Sequence, residues 1–568
     1  MITERVDDIP LLIAEFGKSQ LSNLVTEHFP DHGNWQGVDS GKVAVIFLTY
    51  VLSCSDHRIS HVETWAAQRL HVLRHCLNAP ELTAKDLTDD KLGILLDRFS
   101  DQEKWLGFEQ SHNQRLINVY DLGLSEQTIR LDAFITQSHR EVEGDFQMGH
   151  SKQHRSDLPQ LKTMVATLDP FSMPLHSVTV SGNSADDVLY MPIINDLLAH
   201  LPLQHQLFVG DSKMGSFETR WSIQNQNHFY LMPLNQKQCS EAVLMDYLDA
   251  QPKDLVTLWS KKEGELPKLK AKGFETTVTM SDESGEKSWE ERRIVVYSPN
   301  YAQSQQRSFE DRQIKAQNAL SVILEAKQGR KTLKKKEEVA TKVDQILKKY
   351  KMKGFIEVKI EETITTKKIR RHLDKPEREI SISQFSLQIK GNQAAIEKHK
   401  KKLGWRVYAT NAPFDRLNTQ QAIECYRNEY KIEHKFDELL NRVTALMPVY
   451  LKKPNRIKAL IQLLLLALKY VSIIQFQVRQ ELTTTKQTLK ELYPGNPGRA
   501  TNQPTTPMLL RAFKNITLVI LPVEDKMIIK ISDLKPIQLK ILDLLNISPE
   551  VYLGLNELVF SHFDFSET

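Results

Sequence analysis

Three acidic residues, far apart along the chain, are the side chains best suited to do chemistry. Asp132 lies in the middle of a β-prone run, Asp211 directly follows the apolar run 207–209, and Glu433 lies among apolar residues at helical spacing. Burying a carboxylate is costly unless it is paired or binds a metal. Carboxylate oxygens suit Mg²⁺ or Mn²⁺, and two such ions can activate a water or a 3′-hydroxyl and stabilise the leaving oxygen of a phosphodiester. These acids are therefore the candidate metal ligands and catalytic residues.

Two of these acids also have a plain structural interpretation. Asp211 stands where it can cap the helix predicted to begin at Ser216. Glu433 shares a helical face with apolar residues such as Ile423 and Phe436, and it can form an interhelical salt bridge there. From the residues alone, both alternatives stay open for each acid.

The segments around the acids predict an α/β fold with a mixed sheet. Turns at Asp169-Pro170 and Met173-Pro174 predict a hairpin, and a helix ending near His200 leads to the strand before Asp211. A crossover helix between strands is typical of a mixed sheet with helices packed against it. A strong helix is predicted from Thr419 to Leu440. The predicted strands are 128–135, 161–168, 174–180, 207–209 and 229–234.

Composition indicates a chain with ample material for a core. It has 568 residues, of which 40% are hydrophobic and 26% charged, and its net charge of +4 does not by itself identify a nucleic-acid binder. Its four cysteines follow no CxxC spacing, which favours a reducing compartment without a disulfide framework. The apolar run 459–474 contains Gln462 and Lys469 and predicts a buried helix, and no signal peptide is recognised. We expect a cytoplasmic protein without a membrane partner.

Residues 235–402 differ in character from the segments on either side. They combine β-like alternation with long, highly charged helical stretches and the basic run 330–336. This pattern predicts an inserted α+β subdomain. Its lysines can contact phosphates, or they can form an ordinary solvated face.

Seven sequence blocks occur in a single order from about residue 125 to about residue 510. The blocks are Arg130-Leu131-Asp132, Gly149-His150-Ser151-Lys152 with His154 to Gln160, Leu168-Asp169-Pro170, Gly182-Asn183 with Asp186-Asp187, Val209 to Met214, Tyr426 with Ile432-Glu433 and Phe436, and Tyr493 to Pro497. Together they resemble the DDE transposases of bacterial insertion sequences, a class with an RNase H-like core. The resemblance is to the branch that carries an insertion before the last catalytic helix.

The resemblance implies roles for individual residues. Asp132, Asp211 and Glu433 would be the catalytic metal ligands, holding Mg²⁺ or Mn²⁺, and two ions are expected. The family expects an arginine four residues before the glutamate and a lysine seven after it, where this chain has Glu429 and Leu440. Glu429 is therefore an alternative third ligand. The candidate DNA-binding residues are Lys152, His154, Arg155, Lys213, Tyr426, Arg427, Lys431 and Lys435.

The implied function is that of a transposase, a metal-dependent DNA endonuclease and strand transferase. It would bind the terminal inverted repeats of its own mobile element, cut the DNA ends and join the 3′-hydroxyls to target DNA, working as a homodimer in the DNA complex. Localisation would be the bacterial cytoplasm, at the nucleoid when bound to DNA. The alternative is a catalytically inactive or repurposed transposase that only binds DNA. The predicted segments are a helical N-terminal DNA-binding domain at 1–125, the RNase H-like core at 126–234 and 403–482, the inserted subdomain at 235–402 and a C-terminal region at 483–568.

Overall fold

The computed structural model describes residues 1–123, 127–151, 155–260, 268–325, 333, 335–369, 378–428, 430–523 and 526–557. The chain divides into two compact units. The first contains Met1–Met232 and Cys425–Thr568, and the second is Pro233–Glu424. The second unit therefore contains the predicted insertion and extends beyond its predicted end at residue 402.

The N-terminal part of the first unit is helical apart from one short strand, β1 (Ile2–Arg5). Pro10 lies in the first turn of α1, where a missing backbone N–H costs nothing, and the Asp39 side chain caps α3 by accepting from the Lys42 amide. Nearly all of α3 is buried, so it is the central helix of this part. The helices are α1 (Ile9–Lys18), α2 (Leu21–His28), α3 (Ser40–Cys54), α4 (Val62–Ala67), α5 (Leu70–Cys76), α6 (Asp89–Phe99) and α7 (Gln102–Val119).

A five-stranded mixed sheet follows, with the order β4-β3-β2-β5-β6. β2, β3 and β4 are antiparallel neighbours, whereas β5 and β6 run parallel to β2. This arrangement confirms the predicted RNase H-like mixed sheet, and the observed strands match the predicted ones to within two residues. The elements are β2 (Thr128–Gln137), β3 (Gln160–Leu168), β4 (Met173–Ser181), α8 (Tyr190–His200), β5 (Leu207–Val209), α9 (Phe217–Asn225) and β6 (Phe229–Pro233).

The second unit has an antiparallel sheet in the order β12-β9-β8-β7 and a separate two-stranded ribbon, β10-β11. Two apolar clusters form its interior, one around Phe274 and Val295 and the other around Phe309 and Leu320. Its elements are α10 (Glu241–Asp249), β7 (Val256–Ser260), β8 (Lys268–Ser281), β9 (Ser288–Tyr297), α11 (Pro299–Ser321), α12 (Lys336–Lys349), β10 (Ile356–Ile369), β11 (Arg378–Gly391), α13 (Gln393–Lys402), β12 (Trp405–Thr410) and the first part of α14 (Thr419–Arg427), whose last three residues belong to the first unit.

The predicted continuous helix over 419–440 is interrupted. The chain forms α14, then α15 (Tyr430–Asp437), and continues as a π-helical turn, Glu438–Arg442. The apolar repeat of three and four residues is the same in either case, because it reports which face is buried and not where the backbone breaks. The sequence pattern therefore identified the buried face and missed the break.

The last part of the first unit is built on α16 (Pro454–Thr484). This helix is long and apolar enough to cross a membrane by length and composition, but 94% of its most apolar window is buried within the protein. It packs against α3, α6 and β4, as expected of the predicted core helix. The remaining elements are α17 (Thr506–Arg511), β13 (Thr517–Val523), β14 (Lys526–Ile531), α18 (Pro536–Leu544) and α19 (Glu550–Leu553), and β13 pairs with both β1 and β14.

Candidate metal and catalytic site

Asp132 on β2 and Asp211 just after β5 lie at the same level of two neighbouring parallel strands. In the register of β2 with β5, Arg130 is opposite Val209. Asp132 is two residues after Arg130, and Asp211 is two residues after Val209. Alternate residues of an extended chain point to the same face. Neighbouring strands lie about 4.8 Å apart, so the two carboxylates converge just beyond the end of β5. The structure thus brings together two of the three predicted metal ligands.

The carboxylate of Asp211 is fixed through one of its two oxygens. The Tyr190 hydroxyl donates to Oδ1 at 2.8 Å, and the Lys213 amide donates to the same atom at 2.8 Å. The second bond caps a short 3₁₀ helix, Ser212–Gly215, whereas α9 is capped by Ser216. Asp211 is therefore a cap, although not of the predicted helix. Within the described part of the chain no hydrogen bond is made to Asp211 Oδ2, which leaves this oxygen available to a ligand.

Tyr190 is a site residue that the sequence did not indicate. It is 1% exposed at the first position of α8, and its ring lies against Gly210, where a Cβ would be 3.0 Å from the ring carbon Cε1. Burial raises the pKa of Tyr190, and the charges of Asp211 and Asp132 raise it further. The hydroxyl therefore stays protonated and donates to Asp211. A tyrosine at the start of a helix belongs to no recognisable sequence motif, so the sequence did not identify Tyr190 as a site residue.

The helix that carries Glu433 packs on the face of β2 that carries Asp132. Phe134 lies on that face, and its ring is 5.2 Å from the ring of Phe436 on α15. Position 433 is one turn before Phe436, which places the backbone of the third predicted ligand on the element that covers Asp132. The side chain of Glu433 lies outside the described part of the structure, as does residue Glu429.

Arg130 links β2 to the end of α14 by a hydrogen bond. It is 2% exposed; its Nε donates to Asp169 Oδ2 at 2.8 Å, and its Nη2 donates to the Cys425 carbonyl oxygen at 2.7 Å. Burial alone would lower the pKa of Arg130, but its bonds with Asp169 and Cys425 outweigh burial and raise it. The guanidinium therefore stays charged and holds the α14 end against the strand, directly before α15 begins.

The polar loop between β2 and β3 is tied to the sheet by two glutamines. Gln137 Nε2 donates to Ser151 Oγ at 2.8 Å, and Gln160 Nε2 donates to the carbonyl oxygens of His150 at 3.3 Å and of Gly182 at 3.0 Å. Gly149 packs so tightly here that a Cβ would lie 2.2 Å from the Gly182 carbonyl oxygen. These contacts account for Gly149, Ser151 and Gln160 in one of the sequence blocks and for Gly182 in another.

An ion cluster lies beside Asp211 around the buried Asp186. Lys162 Nζ of β3 is 2.5 Å from Asp186 Oδ1, and Lys213 is paired with the other oxygen. Burial would raise the pKa of Asp186, but the bonds with Lys162 and Lys213 lower it overall. The Lys213 side chain is 51% exposed despite this pair, so its ammonium is accessible beside the two predicted ligands.

The other predicted DNA-binding residues have varied surroundings. Arg155 is exposed and forms a bidentate pair with Asp157, with both contacts under 3 Å. Lys435 is 6% exposed and its Nζ is 2.6 Å from Glu438 Oε2, so this internal ion pair weighs against direct phosphate contact. Tyr426 is also buried, Arg427 is half-buried, and Leu440 is 7% exposed, so position 440 faces the core. Lys152, His154 and the side chain of Lys431 lie outside the described residues.

The chemistry of the converging donors fits a hard divalent cation. Both are carboxylates, which Mg²⁺ and Mn²⁺ prefer, and neither histidine nor cysteine is required. Among the described side chains, no group of three or more His, Cys, Asp or Glu residues is arranged as a metal cluster. The third predicted ligand, Glu433, is not among those side chains, so the two aspartates are the part of the site that the structure describes.

Comparison with known proteins identifies a family and shows resemblance to solved structures. The family model for the transposase DDE domain matches residues 125–469. No curated protein is a significant match in sequence. Among solved structures, the chain resembles the cryo-EM structure of the piggyBac transposase synaptic complex with hairpin DNA, at 10% identity and a TM-score of 0.23. That alignment covers 51% of this chain and 55% of the other.

Proposed function

The chain belongs to the family of transposases with a DDE domain, and we propose on that premise that it is an active transposase of a bacterial insertion sequence. It binds the terminal inverted repeats of its element, cuts the DNA ends by metal-dependent phosphodiester hydrolysis and transfers the 3′-OH strand to target DNA. The observation that carries the proposal is the convergence of Asp132 and Asp211 beyond β5, inside the matched region.

The residues of the chain have distinct tasks in this reaction. Asp132, Asp211 and Glu433 would hold Mg²⁺ or Mn²⁺ ions, of which two are expected. When bound, such ions activate the attacking water or 3′-hydroxyl and stabilise the leaving oxygen. Tyr190 orients the Asp211 carboxylate through Oδ1, which keeps Oδ2 directed to the ligand.

Positive side chains next to the acids would position the DNA. Lys213 lies two residues after Asp211 and is half exposed, which suits a contact with the phosphate being cut. Arg130 acts indirectly, because it holds the end of α14 on β2 and so sets the position of α15. We further propose that the N-terminal helices contribute to recognition of the inverted repeats. The protein would work as a homodimer on paired ends, in the cytoplasm and at the nucleoid.

Cleavage of a terminal duplex tests the proposal. Purified protein is incubated with a duplex ending in the inverted repeat of its element, with Mn²⁺ or with EDTA, and the nicked strands are resolved on a gel. We expect cation-dependent cuts at the element end, and at least a 100-fold loss of rate in Asp132→Asn and Asp211→Asn, because each substitution removes a charged ligand. Asp249→Asn removes an exposed acid in α10 and is the matched control.

Two outcomes would count against the proposal. Tight binding of the duplex without any cation-dependent cleavage would favour the alternative of a repurposed DNA-binding protein, which the residues Glu429 and Leu440 motivate. Cleavage that is unaffected by Asp211→Asn would instead show that the metal ligands are misassigned.

A further inference from the structure

Residues 299–402 form a module inserted into a single strand connection of the second unit. Tyr297 at the end of β9 is opposite Trp405 at the start of β12, and the Ser298 amide donates to the Gly404 carbonyl at 2.9 Å. The whole segment between them thus occupies the place of a hairpin loop. It has its own apolar cluster, formed by residues of α11, α12, β10 and α13, including Phe309, Leu320, Val343, Leu347, Ile356 and Ile396. We call it the 299–402 module.

The positive charge of the protein is concentrated in the 299–402 module. The module contains 26 Lys and Arg residues against 13 Asp and Glu residues, a net charge of +13. The whole chain carries only +4, so the remainder of the chain has a net charge of −9. A module with this excess attracts polyanions, above all nucleic acid, at a distance set by ionic strength.

One face of α11 carries side chains of the types that can hydrogen-bond to base edges. Asn300, Gln303, Ser304, Arg307 and Lys315 are all exposed. At 100° per residue they lie within about 120° of the helix circumference, on the side opposite Phe309 and Leu320. From Asn300 to Lys315 the face is about 22 Å long, which exceeds the width of about 12 Å of a DNA major groove.

The face is not neutralised by neighbouring residues. Among the described residues no carboxylate forms an ion pair with Arg307 or Lys315. The exposed Asp311 is the acid on this face, and Ile314 lies there with 53% of its surface exposed. Polar side chains are expected on the solvent side of any amphipathic helix. This face is distinguished by two cations without an ion-pair partner among the described residues and by an exposed apolar side chain between them.

We propose that this face of α11 enters the major groove of double-stranded DNA and reads base pairs there, while other lysines of the 299–402 module neutralise phosphates. Arginine pairs with guanine O6 and N7, glutamine and asparagine pair with adenine N6 and N7, and an apolar side chain suits the thymine methyl group. The inference rests on the proposed function for the presence of DNA, and it adds a sequence-reading element to it.

Selection from a random-sequence duplex library tests the inference with the full-length protein. EDTA is present, so that binding is scored without cleavage. The variants are Gln303→Ala and Arg307→Ala, and the control is Gln306→Ala on the same helix. Gln306 is also exposed but lies about 60° outside the face and is bonded to Glu310. Asp311→Asn removes the negative charge of the face and is expected to strengthen binding to all sequences.

The expected result is a motif enriched by the parent and by Gln306→Ala. Gln303→Ala and Arg307→Ala should each lose the preference at one or two positions, by about 10-fold per base pair, while binding persists. An unchanged motif would overturn base reading. So would an equal loss of affinity for all sequences, accompanied by a reduction of about one in the slope of log affinity against log salt concentration. Because no cleavage is scored, an inactive but sequence-selective protein would contradict the proposed function and leave this inference standing.

Discussion

The site region around Asp132 and Asp211 and the 299–402 module hold their charges in opposite ways. Near the site, buried charged groups are paired with opposite charges, as Arg130 is with Asp169 and Asp186 is with Lys162 and Lys213. In the module, basic residues outnumber acidic ones two to one, and Arg307 and Lys315 on α11 are exposed. The difference indicates that the first region needs side chains held in fixed positions. The second needs a positive electrostatic potential and a face that is accessible to a ligand. Single substitutions should therefore affect folding strongly in the first region and weakly in the second.

The largest expected difference concerns two arginines. Arg130→Met removes a buried guanidinium and leaves Asp169 without its partner, which should lower the free energy of unfolding by about 3–5 kcal/mol. Arg307→Met on the exposed face of α11 should change it by less than about 0.5 kcal/mol. Urea unfolding followed by circular dichroism measures both. Equal effects of the two substitutions would remove the distinction between the regions.

The pH dependence of stability should have opposite signs in the two regions. Burial opposes protonation of His176, but Glu109 and Asp196 outweigh it and raise its pKa to about 9. The resulting stability is fully present below the unfolded pKa of about 6.5 and is lost as pH rises through 9, by about 3 kcal/mol at most. Burial, assisted by Lys402, lowers the pKa of His399, so its contribution is present above about pH 6.5 and is lost as pH falls.

Urea unfolding of the full chain at a series of pH values checks these signs. His176→Gln should flatten the alkaline limb and also weaken the acidic limb, because His176 lowers the pKa of Asp196. His399→Gln should flatten the acidic limb alone. An alkaline limb that persists in His176→Gln would show that the Glu109 pair does not govern it.

The smallest expected difference concerns two glycines. A Cβ at Gly182 would lie 2.0 Å from the Gln160 carbonyl oxygen, so Gly182→Ala should cost about 1–3 kcal/mol by displacing backbone. At Gly391, in the module, the nearest atom would be 3.4 Å away, and Gly391→Ala should be nearly neutral. Thermal unfolding gives both values, and a destabilisation of Gly391→Ala as large as that of Gly182→Ala would contradict the close packing inferred for the site region.

Local pattern was sufficient to predict the sheet. The runs that became β2, β3, β4, β5 and β6 are apolar, short and bounded by turn residues, so their extent is fixed by nearby sequence. Asp211 was likewise marked by its position after an apolar run. Its neighbour Tyr190 was not, because the bond between them depends on how α8 packs against the loop after β5.

Contacts between distant residues account for most of what the sequence did not predict. Arg130 is 295 residues away from Cys425, and no periodicity connects them. The break between α14 and α15 also escapes prediction, since both helices continue one apolar repeat. Lys435 is buried and paired with Glu438, whereas its position on a helix predicted an exposed side chain in contact with DNA.

Cleavage of the polypeptide by bound iron tests the central claim most directly. Fe²⁺ replaces Mg²⁺ in the DNA complex of the full chain, ascorbate and peroxide generate radicals at the bound ion, and the fragments are mapped. We predict cuts close to residues 132, 211 and 433, all suppressed by excess Mg²⁺ and all absent in Asp211→Asn. Cuts at only two of these positions, or at a different set of acidic residues, would contradict a single cation site built from Asp132, Asp211 and Glu433.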